Sequence, residues 1–166
     1  VVNDNGKIVA VEPFEYCINI LKNNAKANSF DNIFIEQKVL FSKSGIEKKL
    51  DYTHGVGGAS ITRDFGKKKF LNVKTVTIDD LTQIHNIKPN FIKLNIEGAE
   101  FEALKGSNET LSIYKPHICL ECTHEKDIIK INEFLKIYNY KPFVFINKKL
   151  QKLNTFKPYG NIFFLK

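Results

Sequence analysis

The chain has 166 residues, 43% of them hydrophobic and 26% charged, enough for one domain with one buried core and an ordinary globular balance. Its net charge is +7, yet Arg63 is the only arginine and the lysines are scattered apart from Lys67-Lys68-Lys69, the pattern of a solvated surface and not of a nucleic-acid-binding face. No apolar run approaches the roughly 18 residues of a membrane helix, and the start at Val1 lacks the basic leader and apolar stretch of a signal peptide.

Lys7 to Glu12 is a short apolar run rich in β-branched residues, opened by Gly6 and closed by Pro13, and predicts a strand. Phe14, Cys17, Ile18, Leu21 and Ala25 then recur at helical spacing. Ile33 to Leu40 predicts a second strand. Strand, helix and strand joined by short loops form a parallel crossover unit.

Residues 42–72 predict a long polar excursion with one or two small strands, of the kind that often serves as a functional lid. Within it, His54-Gly55-Val56-Gly57-Gly58-Ala59-Ser60 lacks the lysine of a triphosphate-binding loop. It is expected to be a flexible loop beside the site, contributing to acceptor binding or closure. Val73 to Ile78 alternates as an antiparallel or edge strand, and Asp79 is expected to cap a brief helix around Leu81 and Ile84.

Asn90 to Ile96 predicts another strand, turning at Glu97-Gly98-Ala99-Glu100 into a helix closed by Gly106. A further helix surrounds Leu111 and Tyr114, and His117 to Cys122 is the next strand. Ile128, Ile131, Leu135 and Tyr138 mark a helix, and the strands Phe143–Ile146 and Ile162–Leu165 end the chain through a polar, hairpin-like connection. Residues 1–166 thus read as a single α/β domain. The odd count of three cysteines argues against a disulfide framework and for a reducing, cytoplasmic setting. Cys119 and Cys122 have redox spacing but lie in a buried strand, without the helix start that lowers a thiol's pKa.

Two places carry chemistry. Glu12 ends a strand before a helix, where ligands of open α/β sheets bind and where a carboxylate accepts hydrogen bonds from both hydroxyls of a ribose. Asn95, Glu97 and Glu100 cluster at the end of another strand, with Gly98 letting the backbone turn or approach a ligand closely. The order Gly6, Ala10, Glu12-Pro13, then Thr77-Ile78-Asp79-Asp80-Leu81, then Phe91-Ile92-Lys93, Asn95, Glu97-Gly98-Ala99-Glu100, then Leu104-Lys105-Gly106 and the late strand Ile118–Glu121 resembles the FkbM-type methyltransferases.

That resemblance implies a Rossmann-like class I methyltransferase sheet, mostly parallel with an antiparallel carboxy-terminal strand. It also implies transfer of a methyl group from S-adenosylmethionine to a hydroxyl of a sugar or natural-product scaffold. The implied partner is a small-molecule or glycan acceptor. Glu12, with Pro13, would hold the cofactor's ribose, and Val39, Leu40 and Phe41 fall where the family lines the adenine; Phe41 either stacks on it or belongs to the core. Asn95, assigned to both cofactor and reaction, replaces the family's usual aspartate, and an amide orients by hydrogen bonds where a carboxylate could take a proton. Ser42-Lys43 departs likewise from a region where acids are common. The candidate bases are Glu97, Glu121, His124 and Glu125, with Glu97 preferred because it lies inside the motif and His124 for its ordinary pKa. No His and acid spacing points to a metal.

The family's first strand and glycine-rich cofactor loop have no counterpart before Glu12, so the chain is expected to be part of a longer one and to bind cofactor weakly alone. In the family's strand order the absent strand lies between those ending at Glu12 and Asn95. Two other readings compete: a non-catalytic Rossmann-like binding module, marked by Asn95, and a lysine-rich RNA-binding domain.

Overall fold

The computed structural model describes residues 6–63, 66, 68–122, 124–155 and 159–166. Lys67 of the lysine cluster and the five residues before Gly6 lie outside that set. In chain order the elements are β1 (Ile8–Val11), α1 (Glu15–Ala27), β2 (Ile33–Glu36), β3 (Val39–Leu40), β4 (Glu47–Asp51), β5 (Phe70–Val76), α2 (Ile78–Ile84) and β6 (Phe91–Leu94). There follow α3 (Glu100–Lys105), α4 (Asn108–Ile113), β7 (His117–Cys122), α5 (Glu125–Lys136), β8 (Lys141–Ile146), β9 (Lys149–Lys152) and β10 (Tyr159–Leu165). None of the described helices is long and apolar enough to cross a membrane.

Among the described residues the strands hydrogen-bond as three sheets of an α/β fold: β1-β2, β3-β5-β4 and β6-β7-β10-β8-β9. The pairings β1-β2, β3-β5 and β6-β7 are parallel, and β4-β5, β7-β10, β8-β10 and β8-β9 are antiparallel. The last strand is antiparallel to both its neighbours, as the family resemblance implied.

The main core sits on the five-stranded sheet. Ile128, Ile131 and Leu135 from α5 meet Ile118 and Leu120 of β7 and Ile162 and Phe164 of β10, all fully buried. The three-residue and four-residue spacing on α5 puts its aliphatics on one face, and each such side chain contributes roughly 1.5–3 kcal/mol on burial. A smaller cluster of Val39, Leu50 and Val73, flanked by Phe14, Ala59 and Ile61, underlies the polar excursion. By contrast all four residues of β1 are only half-buried and α1 buries Ile18 alone.

Several expectations are revised. Ile33–Leu40 is not one strand. It breaks at Gln37-Lys38, where the Lys38 amide donates to the Glu36 carbonyl at 2.9 Å and its ammonium pairs with the Glu36 carboxylate at 2.7 Å, and the chain crosses from one sheet to another. The strand ending at Val76 starts earlier, at Phe70, and is central between β3 and β4, not an edge. The connection after β8 holds an additional strand, β9, turned by Asn147 and Lys148 at φ 50° and 62°. Gly106 does follow α3, but at φ −89°. It is needed for space, since a Cβ there would come within 2.5 Å of the Phe41 carbonyl oxygen.

Asp79 does not cap its own helix. Thr77 does, accepting from the Asp80 amide at 3.0 Å. Asp79 instead reaches α4, whose own cap residue Ser107 offers no side-chain bond. Its carboxylate accepts from the Thr110 amide and hydroxyl at 2.8 and 2.6 Å and from the Glu109 amide at 3.1 Å. Thr110 is fully buried, so losing the acceptor strands polar groups away from water. Asp79→Ala is therefore expected to cost about 2–3 kcal/mol. Urea denaturation measures this, and a change below about 0.5 kcal/mol would show that water replaces the carboxylate.

Candidate active site

The turn after β6 is the most constrained piece of backbone near either candidate centre. Leu94 anchors it in the core at 1% exposure while Asn95 faces outward. Glu97 then adopts φ 52° and Gly98 φ 96°. The left-handed region resists side chains and costs about 1–3 kcal/mol for a non-glycine residue, so the surroundings must enforce it. Part of that enforcement comes from Glu100, 3% exposed, whose carboxylate accepts the Ile96 amide at 3.0 Å and also engages the Gly98 and Glu100 amides. Burial pushes the Glu100 carboxyl up from the ordinary glutamate range, against the opposing pull of those amides and the Arg63 charge.

Glu12 lies just beyond β1. Its amide donates to the Glu36 carbonyl at 3.1 Å, extending the parallel ladder by one residue, and its carboxylate accepts the Phe14 amide at 2.8 Å. The first acid of the motif is thereby aimed across the strand end while one oxygen holds the start of α1.

Both centres open onto one cleft of about 970 Å³, its open mouth included. Glu12, Pro13, Val39 and Leu40 line one side, Asn95, Ile96 and Glu97 the other. The excursion contributes Val56, Gly57, Ala59 and Ile61 above Leu50, with Val56–Gly58 forming a single 3₁₀ turn. Phe41 is not among the lining residues: the Lys48 ammonium sits 4.0 Å from its ring centroid, on the flank of the three-stranded sheet. Phe14, Cys17 and Lys38 line the cleft without having been singled out from the sequence.

A second, much smaller hollow adjoins the same turn, its enclosed space only about 20 Å³, room for a single water or hydroxyl. Asn95, Glu97 and Gly98 belong to it, so Asn95 and Glu97 form the wall common to both spaces. The far side is built by Glu121, Cys122, His124 and Asp127 at the end of β7 and the start of α5, with Arg63 closing the rim at 3.6 Å from the Glu97 carboxylate. Glu97, Glu121 and His124 are thus brought together, and Glu125, exposed on α5, is not among the lining residues. Cys122 lies in the strand, bonded to the His124 carbonyl at 3.6 Å, and burial pushes both it and Cys119 up, opposite to what redox thiols need.

The arrangement offers a carboxylate at one strand end, apolar walls, and a polar hollow across a shared turn. Such parts suit a nucleoside on one side and a single hydroxyl group on the other. Among the described residues no group of three or more His, Cys, Asp or Glu side chains could hold a metal ion. Arg63 and Asp127 were not among the candidates: Arg63 reaches the site from the far end of the excursion, and Asp127 sits one helical turn beyond His124.

Residues 1–142 match the sequence profile of the methyltransferase FkbM domain. Among solved structures, the chain is similar to methyltransferase FkbM from Methylobacillus flagellatus KT, with a TM-score of 0.62 and 17% identity over 95% of this chain and 36% of that one. The chain thus spans about a third of the length of that structure. It is also similar to precorrin-6y C5,15-methyltransferase from Geobacter metallireducens GS-15, at a TM-score of 0.47 and 14% identity over 96% of this chain and 65% of that one. No curated protein sequence matches.

Glu100 yields a pH test. A carboxyl raised by burial stabilises the fold fully below the ordinary glutamate pKa, and that contribution is lost as pH rises through the folded-state pKa. Glu100→Gln is neutral throughout and keeps an acceptor for the Ile96 amide. Between about pH 4 and pH 8 the wild type should therefore lose stability relative to the variant. Urea melts at the two pH values check this; parallel behaviour would contradict the burial argument.

Proposed function

Because this chain belongs to the FkbM methyltransferase domain family over residues 1–142, we propose that it forms part of a domain transferring a methyl group from S-adenosylmethionine to a hydroxyl of a small-molecule or glycan acceptor. The observation that carries this reading is the single cleft receiving both Glu12 and the Asn95–Glu97 turn. The cleft fits a nucleoside in its donor set: one strand-end carboxylate for a ribose diol, and Val39, Leu40, Leu50 and Ile61 as an apolar flank for a base.

The cofactor supplies an electrophilic methyl on a sulfonium. Glu12 binds the ribose hydroxyls through the carboxylate whose other contact is the Phe14 amide. Asn95, at the common wall, orients polar groups by donating and accepting hydrogen bonds without taking charge. The acceptor presents its reacting hydroxyl at the mouth of the smaller hollow, which Glu97, Glu121 and His124 line. A bound cofactor would supply the methyl group to the acceptor oxygen, and Glu97 or, as the competing base, His124 would take the hydroxyl proton. Glu121 and His124 both line that hollow, within reach of a hydroxyl at its mouth. Alignment across the shared wall supplies much of the acceleration for such a displacement.

The reading includes a further strand, bearing the family's glycine-rich loop, between β1 and β6 in a Rossmann-like sheet. Among the described residues β1 pairs only with β2 and β6 only with β7, while their carboxyl ends share the cleft. Each therefore has one edge without a ladder partner, and β1 stays half-buried. A reducing, cytoplasmic setting is supported by Cys17, Cys119 and Cys122 all being free thiols.

Titration calorimetry with S-adenosylhomocysteine tests the proposal. The complete reading frame that encodes this chain should bind with a Kd below about 1 mM, worth roughly 4 kcal/mol, and Glu12→Ala should weaken binding about tenfold or more. The isolated 166 residues should bind more weakly than about 1 mM. Absence of binding by the complete frame overturns the methyltransferase reading. Sub-millimolar binding by the isolated residues overturns the additional strand.

A further inference from the structure

The long excursion touches the catalytic turn through one buried hydroxyl. Asp51 and Ser60 exchange both backbone hydrogen bonds at 2.9 Å, closing residues 52–59 into a loop at the end of β4. Ser60 is 1% exposed. Its Oγ donates to the Glu97 carbonyl at 2.7 Å, 37 residues away, and accepts the Arg63 amide at 3.1 Å and the Thr62 amide at 3.3 Å. A hydroxyl has one proton to give and lone pairs to receive, so this single oxygen ties both strands of the contact at once.

The two sides it ties are tight. A Cβ on Gly98 would come within 3.1 Å of Arg63 Nε and 3.2 Å of Thr62 Oγ1. The carbonyl it grips belongs to Glu97, the non-glycine residue at φ 52° whose side chain faces Arg63. Around Ser60 the excursion lines the larger cleft with Val56, Gly57, Ala59 and Ile61, and two residues further Arg63 lines the smaller hollow.

We propose that Ser60 is a positioning residue of the reaction: its hydroxyl locks the Glu97 backbone in the left-handed conformation and, through the same oxygen, seats Arg63 against the Glu97 carboxylate. The common wall of the two spaces is thus set by the excursion as well as by the sheet. Ser60 touches neither cofactor nor acceptor. The role assigned to Glu97 rests on the proposed methyl transfer, whereas the mechanical lock is read without any ligand.

Nitrogen-15 NMR of the complete protein tests it, with the Arg63 side-chain Nε–H signal identified by its loss in Arg63→Lys. In Ser60→Ala that signal should move toward the position of a free arginine and its exchange protection should fall roughly tenfold. Thr53→Ala removes another hydroxyl of the same loop, the one donating to Asp51 at 2.6 Å, and should leave the Arg63 signal in place. An unchanged signal in Ser60→Ala overturns the proposal, and so does an equal change in both variants, which would mark general loosening. Should Ser60→Ala fail to fold, exchange in the wild type decides. Protection of the Arg63 backbone amide by about a hundredfold or more supports the lock, and exchange at the rate of an open chain overturns it. These readouts are independent of S-adenosylhomocysteine binding, so failure of the lock and failure of the methyltransferase reading are told apart.

Discussion

The turn at residues 95–99 is held from two sides by groups that water does not reach. From the side of α3 the Glu100 carboxylate gathers the Ile96 and Gly98 amides. From the other the Ser60 hydroxyl takes the Glu97 carbonyl. Neither contact alone accounts for a glutamate kept in a left-handed conformation. Together they offset a cost of about 1–3 kcal/mol and leave the Asn95 amide and the Glu97 carboxylate on the common wall of two spaces. Burying a carboxylate for this purpose is itself unfavourable, as the upward push on Glu100 indicates, and it persists because several backbone donors converge on it.

Around that turn the sheet ends do the remaining placement. The segments that follow β1 and β6 both line the larger cleft, so Glu12 and Asn95 open onto the same space. Although the chain is basic overall at +7, the smaller hollow gathers Glu97, Glu100, Glu121 and Asp127 against Arg63. The lysines are spent elsewhere, covering aromatic faces such as Lys48 on Phe41 and Lys49 on Phe70. Global charge thus says little about the chemistry of the site, where local placement decides the field.

What the sequence made legible was local. β1, α1, β6, β7 and α5 follow directly from apolar period and flanking glycine or proline, and the collinear motif led to the family that the profile match shows. The misreadings share one cause, partners far along the chain. The break between β2 and β3 depends on β5, distant in the chain, recruiting Val39 and Leu40 into another sheet. Asp79 has the chemistry of a cap and sits next to a helix, yet its carboxylate serves α4, some 30 residues on. Phe41 ends the apolar run that reaches the cleft, but with the chain already in another sheet its ring lies under Lys48. Ser60 and Arg63 look in sequence like ordinary loop residues; only the Asp51 bridge brings them over the turn.

The carboxylate after β1 and the turn after β6 line one cleft, and the proposed function has them grip one nucleoside between them. A crystal structure of the complete protein with S-adenosylhomocysteine tests it most directly. The account predicts both ribose hydroxyls within about 3 Å of the Glu12 carboxylate and the sulfur facing the Asn95–Glu97 wall. A ligand seated outside this cleft, or one whose ribose ignores Glu12, would contradict it.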